Sequence, residues 1–255
     1  ARDALTRAEK GGLLTPEALL SCAAFGAACK RLKAYLKKAE TTGAGLAFCG
    51  GVIDSLEALT LEIHRCITGT EIDSNATPAL RNIRRQMESL RGQIKTKMEE
   101  LLRSHKKYCT DSFISVKDGR YTLPVSKNYK NQVAGSVVTV SSAGSTCFIE
   151  PSAIRRFTEK LALLETEEAI EIDKILYTLS GMVAEQGSAI RLNAETIESA
   201  DFAFAKGRLS LEHGGRAPQI TTERHMRIDK GRHPLLDSRD CVPVDFEIGR
   251  PHGAD

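Results

Sequence analysis

Residues 113–154 read FISVKDGRYTLPVSKNYKNQVAGSVVTVSSAGSTCFIEPSAI, and they are patterned unlike the rest of the chain. Phe113, Tyr121, Leu123 and Val125 alternate with polar residues, and Val138, Val140, Phe148 and Ile149 do so less strictly. A period of two carried by β-branched and aromatic residues predicts short, half-buried strands. Asp118-Gly119 predicts a hairpin turn, because Gly enters positive φ at little cost. Gly135 and Ala143-Gly144 predict two further turns. Helical patterns run up to this β-element from both sides, which places it at the tip of two helices.

On the N-terminal side, Thr77-Pro78 reads as a cap followed by Pro at the first helical position. Leu80, Ile83, Met87, Leu90, Ile94, Met98 and Leu101 then step by three or four, predicting a helix over 77–109 about 50 Å long. Its bases are Arg81, Arg84, Arg85, Arg91, Lys95, Lys97, Arg103, Lys106 and Lys107, against only Glu88, Glu99 and Glu100. On the C-terminal side, Pro151-Ser152 opens a second long helix. Its stripe of Ile154, Phe157, Leu161 and Leu164 resumes one residue out of phase at Ala169, Ile172, Leu176, Leu179 and Val183, a stutter-like slip. Over 152–213 eleven acids face seven bases. A basic helix going out and an acidic one coming back suit an antiparallel coiled coil whose flanking charges set register. Two separately solvated faces are the other reading. Gly181 and Gly187 mark a possible bend.

Further out, residues 1–70 read as helices. Thr15-Pro16 starts one that runs to about Leu36, with Leu19, Cys22, Ala23 and Leu32 on its period, and a Gly-rich break at 41–51 precedes another over 52–66. The segment 216–227 is polar, 231–237 reads as a loop, and 242–249 as a short strand. The chain begins at Ala1 without Met, inside a helical pattern, and is expected to be a piece of a longer protein.

Charged residues make up 27% of the 255 and hydrophobic ones 41%, which excludes a disordered chain, and no apolar run reaches the roughly 18 residues of a spanning helix, so no membrane partner is expected. The seven cysteines form no CxxC pair, and the histidines form neither an i,i+4 pair nor H-E-x-x-H, so no metal site is expected. Buried thiols in a reducing compartment fit the cysteines. Ser141, Ser142 and Ser145 have no partner base and no G-x-S-x-G around them, and Glu167-Glu168 point apart on a helix; no catalytic residue is assigned.

The order of these segments, with GRHPLLD (231–237) and VPVDFEIG (242–249), resembles the MutS family of ATPases. KDGRYTLPV with GSVVTVSSAGSTCFIEPSAI resembles in particular its second branch, the short paralogues that lack the mismatch-reading domains. The likeness covers nearly the whole chain and is most specific over 117–151. It implies a mainly α protein with a small β insertion: a core and lever helical bundle whose long antiparallel helix pair carries a β-rich clamp. Residues 1–109 would be core and lever, 110–150 the clamp, 151–213 the returning lever and core helix, and 214–255 the start of an ATPase domain.

The resemblance also implies ATP and Mg2+ bound by the full-length protein, a cytoplasmic homodimer, and a role in DNA recombination and repair. The same branch is implicated in acting on stalled, collided ribosomes and places a nuclease in a C-terminal domain. No G-x-x-x-x-G-K-[ST] occurs in the chain, so no cofactor and no ATP hydrolysis are expected of it alone. In other branches an aromatic before the counterpart of Val242-Pro243 stacks on adenine; here Cys241 stands there, leaving Cys241, Val242 and Pro243 as nucleotide-adjacent positions only.

The candidate nucleic-acid contacts are Lys117, Arg120, Lys127 and Lys130 on the clamp and Lys106 and Lys107 at the approaching helix end, interleaved with Tyr121, Asn128 and Tyr129. Such cations hold phosphates without reading sequence. Duplex or branched DNA and ribosomal RNA present the same phosphate surface. The alternative is a coiled-coil protein that dimerises through its β-tip and binds no nucleic acid.

Overall fold

The computed structural model describes residues 2–39, 46–222, 224–236 and 240–249. Contacts divide the chain into two units, Ala1–Lys33 with Asp54–Arg191 and Ala34–Ile53 with Leu192–Asp255. The chain is mainly α with small antiparallel sheets.

The first unit holds two apolar cores. The first, the body, gathers α1 (Arg2–Glu9), the start of α2 (Pro16–Ala39), α4 (Glu57–Cys66), the start of α5 (Pro78–Ser104) and the end of α6 (Ser152–Glu185) around Leu19, Ile63, Leu80, Leu179 and Val183. Thr15 caps α2 by accepting from the Ala18 N–H at 3.3 Å. Ser180 is buried in α6; its hydroxyl donates to Leu176 O at 2.7 Å and accepts the Leu14 N–H at 3.0 Å, so no buried donor is left unmet there. The helix expected over 52–66 begins only at Glu57. Asp54 Oδ1 accepts from the Leu56 N–H at 2.7 Å and Leu56 takes φ +48°, a local turn that interrupts helical geometry. The Gly-rich break over 41–51 lies partly outside the described residues; Cys49–Val52 forms the four-residue α3. A two-stranded hairpin, β1 (Ile67–Thr68) and β2 (Glu71–Ile72), turns at Gly69 and was not foreseen.

The second core is an arm. Thr77 caps α5 by accepting from the Leu80 N–H at 3.1 Å, and its hydroxyl donates to Glu171 Oε1 on α6 at 2.9 Å. α5 and α6 run antiparallel. The crossed charges pair: Arg84 Nε lies 2.6 Å from Glu168 Oε1, and Arg91 Nη2 lies 3.3 Å from Glu165 Oε1. Separate solvated faces are thereby replaced by a paired seam. Met87, Leu90, Ile94 and Met98 of α5 close on Leu161 and Leu164 of α6 beyond the polar layer of the Arg84–Glu168 pair. Each buried aliphatic contributes roughly 1.5–3 kcal/mol. The slip of phase in α6 falls at the layer, where Ala169 is exposed instead of joining the stripe.

α5 ends at Ser104, about 40 Å from its start, rather than at Cys109. The Ser104 hydroxyl and the His105 N–H both donate to Leu101 O, at 3.0 and 2.9 Å, and His105 leaves helical geometry. A 3-10 turn, Lys106–Tyr108, follows. The Thr110 N–H then donates to Pro124 O at 2.9 Å, handing the chain to the sheet.

That sheet is β3 (Ser115–Lys117), β4 (Arg120–Ser126), β5 (Gly135–Val140) and β6 (Thr146–Pro151), antiparallel in the order β3-β4-β6-β5. Leu123 pairs with Ile149 and Val125 with Cys147, and all four are buried in the arm core. Asp118 and Gly119 both take positive φ, forming the expected hairpin turn, and Gly144 turns at φ +69°. Three expectations fail. Phe113 precedes β3 and is exposed. Val138 sits at a bulge between Val137 and Thr139 and drops out of the alternation. Gly135 makes no turn but opens β5, where a Cβ would come within 2.2 Å of Glu150 O.

α6 gives way at Gln186 to α7 (Gly187–His213). Gly181 is exposed within α6, whose helix runs unbroken through it. Gly187 admits a close approach, since a Cβ there would lie 2.6 Å from Glu9 Oε1 and 3.2 Å from Leu5 Cδ1. Arg191 Nη1 bonds Glu9 at 2.7 Å beside it.

In the second unit Gly50 lets Leu36 approach; a Cβ there would meet Leu36 Cβ at 3.0 Å. The strand expected over 242–249 is β8 (Val244–Ile248), paired with β7 (Met226–Gly231). β7 was not foreseen, since it begins in the polar segment 216–227. Asp237 of the 231–237 loop lies outside the described residues. No described helix is long and apolar enough to cross a membrane.

Candidate nucleic-acid interface

The end of α5 and the end of β4 meet. Cys109 bridges Val125, and the Lys127 N–H donates to Ser145 O at 2.9 Å, so the Lys106–Tyr108 turn and a second 3-10 turn, Lys127–Gln132, pack against each other. Val133 is buried and anchors the second turn. Tyr108 and Tyr129 stand at their junction, ring centroids 5.4 Å apart and tilted by 43°. His105 adds a third ring 6.3 Å from Tyr108, and the Lys107 ammonium lies 4.8 Å from the Tyr108 centroid, within cation–π range.

Lys106, Lys107, Lys127, Asn128 and Lys130 are all exposed around this pair. No acid occurs within 104–110 or 126–132, and none of the four lysines has an ion-pair partner among the described residues. Two short segments far apart in sequence thus build one basic, aromatic tip. The signal for it is a shared spacing: KKY at 106–108 and KNYK at 127–130 each set Tyr two residues after Lys. Tyr108 falls within the helix that the sequence predicts over 77–109 and off its apolar stripe, so nothing in the sequence marks it.

Lys117 and Arg120 are not part of the tip. They pair across the β3–β4 hairpin at the other end of β4, roughly 20 Å away along seven residues of strand. The Lys117 ammonium lies over the Phe148 ring at 4.8 Å. Arg120 Nη1 bonds Glu150 Oε2 at 3.2 Å, and the other Glu150 oxygen accepts from Thr158 at 3.1 Å. Glu150 is 7% exposed, so Arg120 compensates a buried carboxylate while its own side chain stays 58% exposed. Tyr121 is half-buried against the arm core and away from the tip.

At the nucleotide-adjacent positions, Cys241 is 8% exposed and turned from solvent, while Val242 is exposed. Neither offers a stacking face, the sequence has no phosphate loop, and among the described residues no three His, Cys, Asp or Glu side chains converge as metal ligands.

The chain is thus a mainly α protein whose antiparallel helix pair presents a small sheet with a lysine–tyrosine tip. No family model matches it. It is 36% identical to Endonuclease MutS2 of Alkaliphilus oremlandii over 96% of its own length and 32% of that protein's. It is 37% identical to Endonuclease MutS2 of Agathobacter rectalis, over 97% and 32%, and 37% identical to that of Symbiobacterium thermophilum, over 95% and 31%. Over this shared stretch the chain belongs to the MutS2 branch of the MutS family. It spans about a third of the length of the curated relatives it matches.

Proposed function

We propose that this chain is the core, lever and clamp of a MutS2-type ATPase, and that its clamp grips the phosphates of DNA, branched recombination intermediates in particular. The tip supports this reading most directly: Lys106, Lys107, Lys127 and Lys130 come from two abutting turns, and none of the four has an ion-pair partner among the described residues. Paired α5 and α6 join the tip to the body core and suit transmission of motion that ATP drives elsewhere in a full-length homodimer. A cytoplasmic setting, a role in recombination and repair, and nuclease action by another domain belong to the same reading.

Titrating salt against binding to duplex DNA, four-way junction DNA and ribosomes tests it. Junction binding that weakens steeply with salt is expected, with a flatter slope after Lys127→Glu and Lys130→Glu. Preference for ribosomes would move the grip to ribosomal RNA. Identical binding by parent and double variant would remove the clamp assignment.

A further inference from the structure

We infer that the tip takes unpaired nucleotides in preference to duplex, stacking a base on Tyr129 while the lysines hold the flanking phosphates. The inference rests on the nucleic-acid reading of the tip and adds to it the state of the strand that is bound. Four lysines alone would suit any phosphodiester; the aromatic pair is what a duplex cannot use. Tyr108 packs on the arm core and carries Lys107 over its ring, so it serves as a fixed support. Tyr129 leans on it at 5.4 Å and still exposes 47% of its surface, so part of the ring is open to a ligand. Lys127 and Lys130 lie two residues before and one after it on the same 3-10 turn, where their i,i+3 spacing puts both on one face next to the ring. An aromatic platform flanked by cations binds single strands with little regard to sequence, because every base has a π-face. In a duplex those faces are already stacked on one another. The ligand chemistry is therefore a phosphodiester strand with exposed bases, from DNA or RNA.

The chain contains no Trp, so Tyr129→Trp places a single indole on the platform. Poly(dT) and poly(U) are expected to quench its fluorescence, and duplex DNA of equal length to leave it largely unchanged. Tyr129→Ala should weaken single-strand binding at least about fivefold, while Tyr129→Phe keeps it. Quenching by either strand supports the inference, and the tighter binder names its source. If Tyr129→Ala binds poly(dT) and poly(U) like the parent while Lys127→Ala with Lys130→Ala loses binding, the platform falls and the phosphate grip stands. If the lysine variant also binds like the parent, both readings fall. Equal affinity of the parent for single strand and duplex would likewise overturn the preference.

Discussion

Arg120 and Lys130 carry the same charge on the same small sheet region, and their surroundings differ. Arg120 faces the buried Glu150 carboxylate, so Arg120→Glu would remove the partner cation and set a second acid across from it. A loss on the order of 1–2 kcal/mol is expected, read as a lower urea midpoint, and nucleic-acid binding should fall only as far as folding does. Lys130→Glu, on an exposed turn, should leave the midpoint in place and weaken binding. The reverse pattern would mean that the sites had been exchanged. Sequence counts charges but not partners: Glu150 lies thirty positions beyond Arg120, and only the β4–β6 register brings them together. Gly135 was misread for a similar reason. A turn and a tight strand crossing both require a missing Cβ, and the sequence does not say which.

Among the elements, α5 was the most legible, since cap, Pro and stripe agree at its start. Its end was misplaced by five residues because Ser104 and His105 stop the helix by bonding back to Leu101, with neither Gly nor Pro to announce it. The β1–β2 hairpin was missed because its strands are two residues each, too short for any period to register. What holds it is partly Asp73. The carboxylate accepts the Asn75 N–H at 2.7 Å and the Thr68 hydroxyl at 3.1 Å, and these bonds, the backbone one first, draw its pKa below the usual carboxylate range. The folded pKa lies below the unfolded one, near 3.9, so this stabilisation is present above roughly pH 4 and is lost as pH falls through the folded value. Acid titration of stability should therefore be shallower in Asp73→Asn than in the parent. Parallel curves would show that the hairpin gains nothing from the charge.

For the whole of the first unit, two cores on one helix pair were not apparent from sequence, where the stripe along α6 shows only a one-residue slip. The structure puts Arg84–Glu168 at that slip, with body residues such as Leu80 and Leu179 on one side and Ile94, Met98 and Leu161 on the other. Cooperative units tend to follow such boundaries. Native-state hydrogen exchange should give amides of the arm around Ile94 and Met98 a different opening free energy from those around Leu80 and Leu179. One shared opening energy across both groups would show that the polar layer does not divide the fold. The charge split between outgoing and returning helices was legible, and the structure turns it into named pairs.

That layer has a consequence for reach. The chain leaves the body at Arg84 and returns to it at Glu168, so everything between is a detour whose two ends lie side by side. Such a detour can be lengthened without redesigning its origin. Two added turns in each helix, matched across the seam, would carry the lysines and tyrosines roughly 11 Å further out while leaving both apolar clusters as they are. The span between body and ligand is in this sense a dimension set by helix length alone, adjustable in steps of a turn.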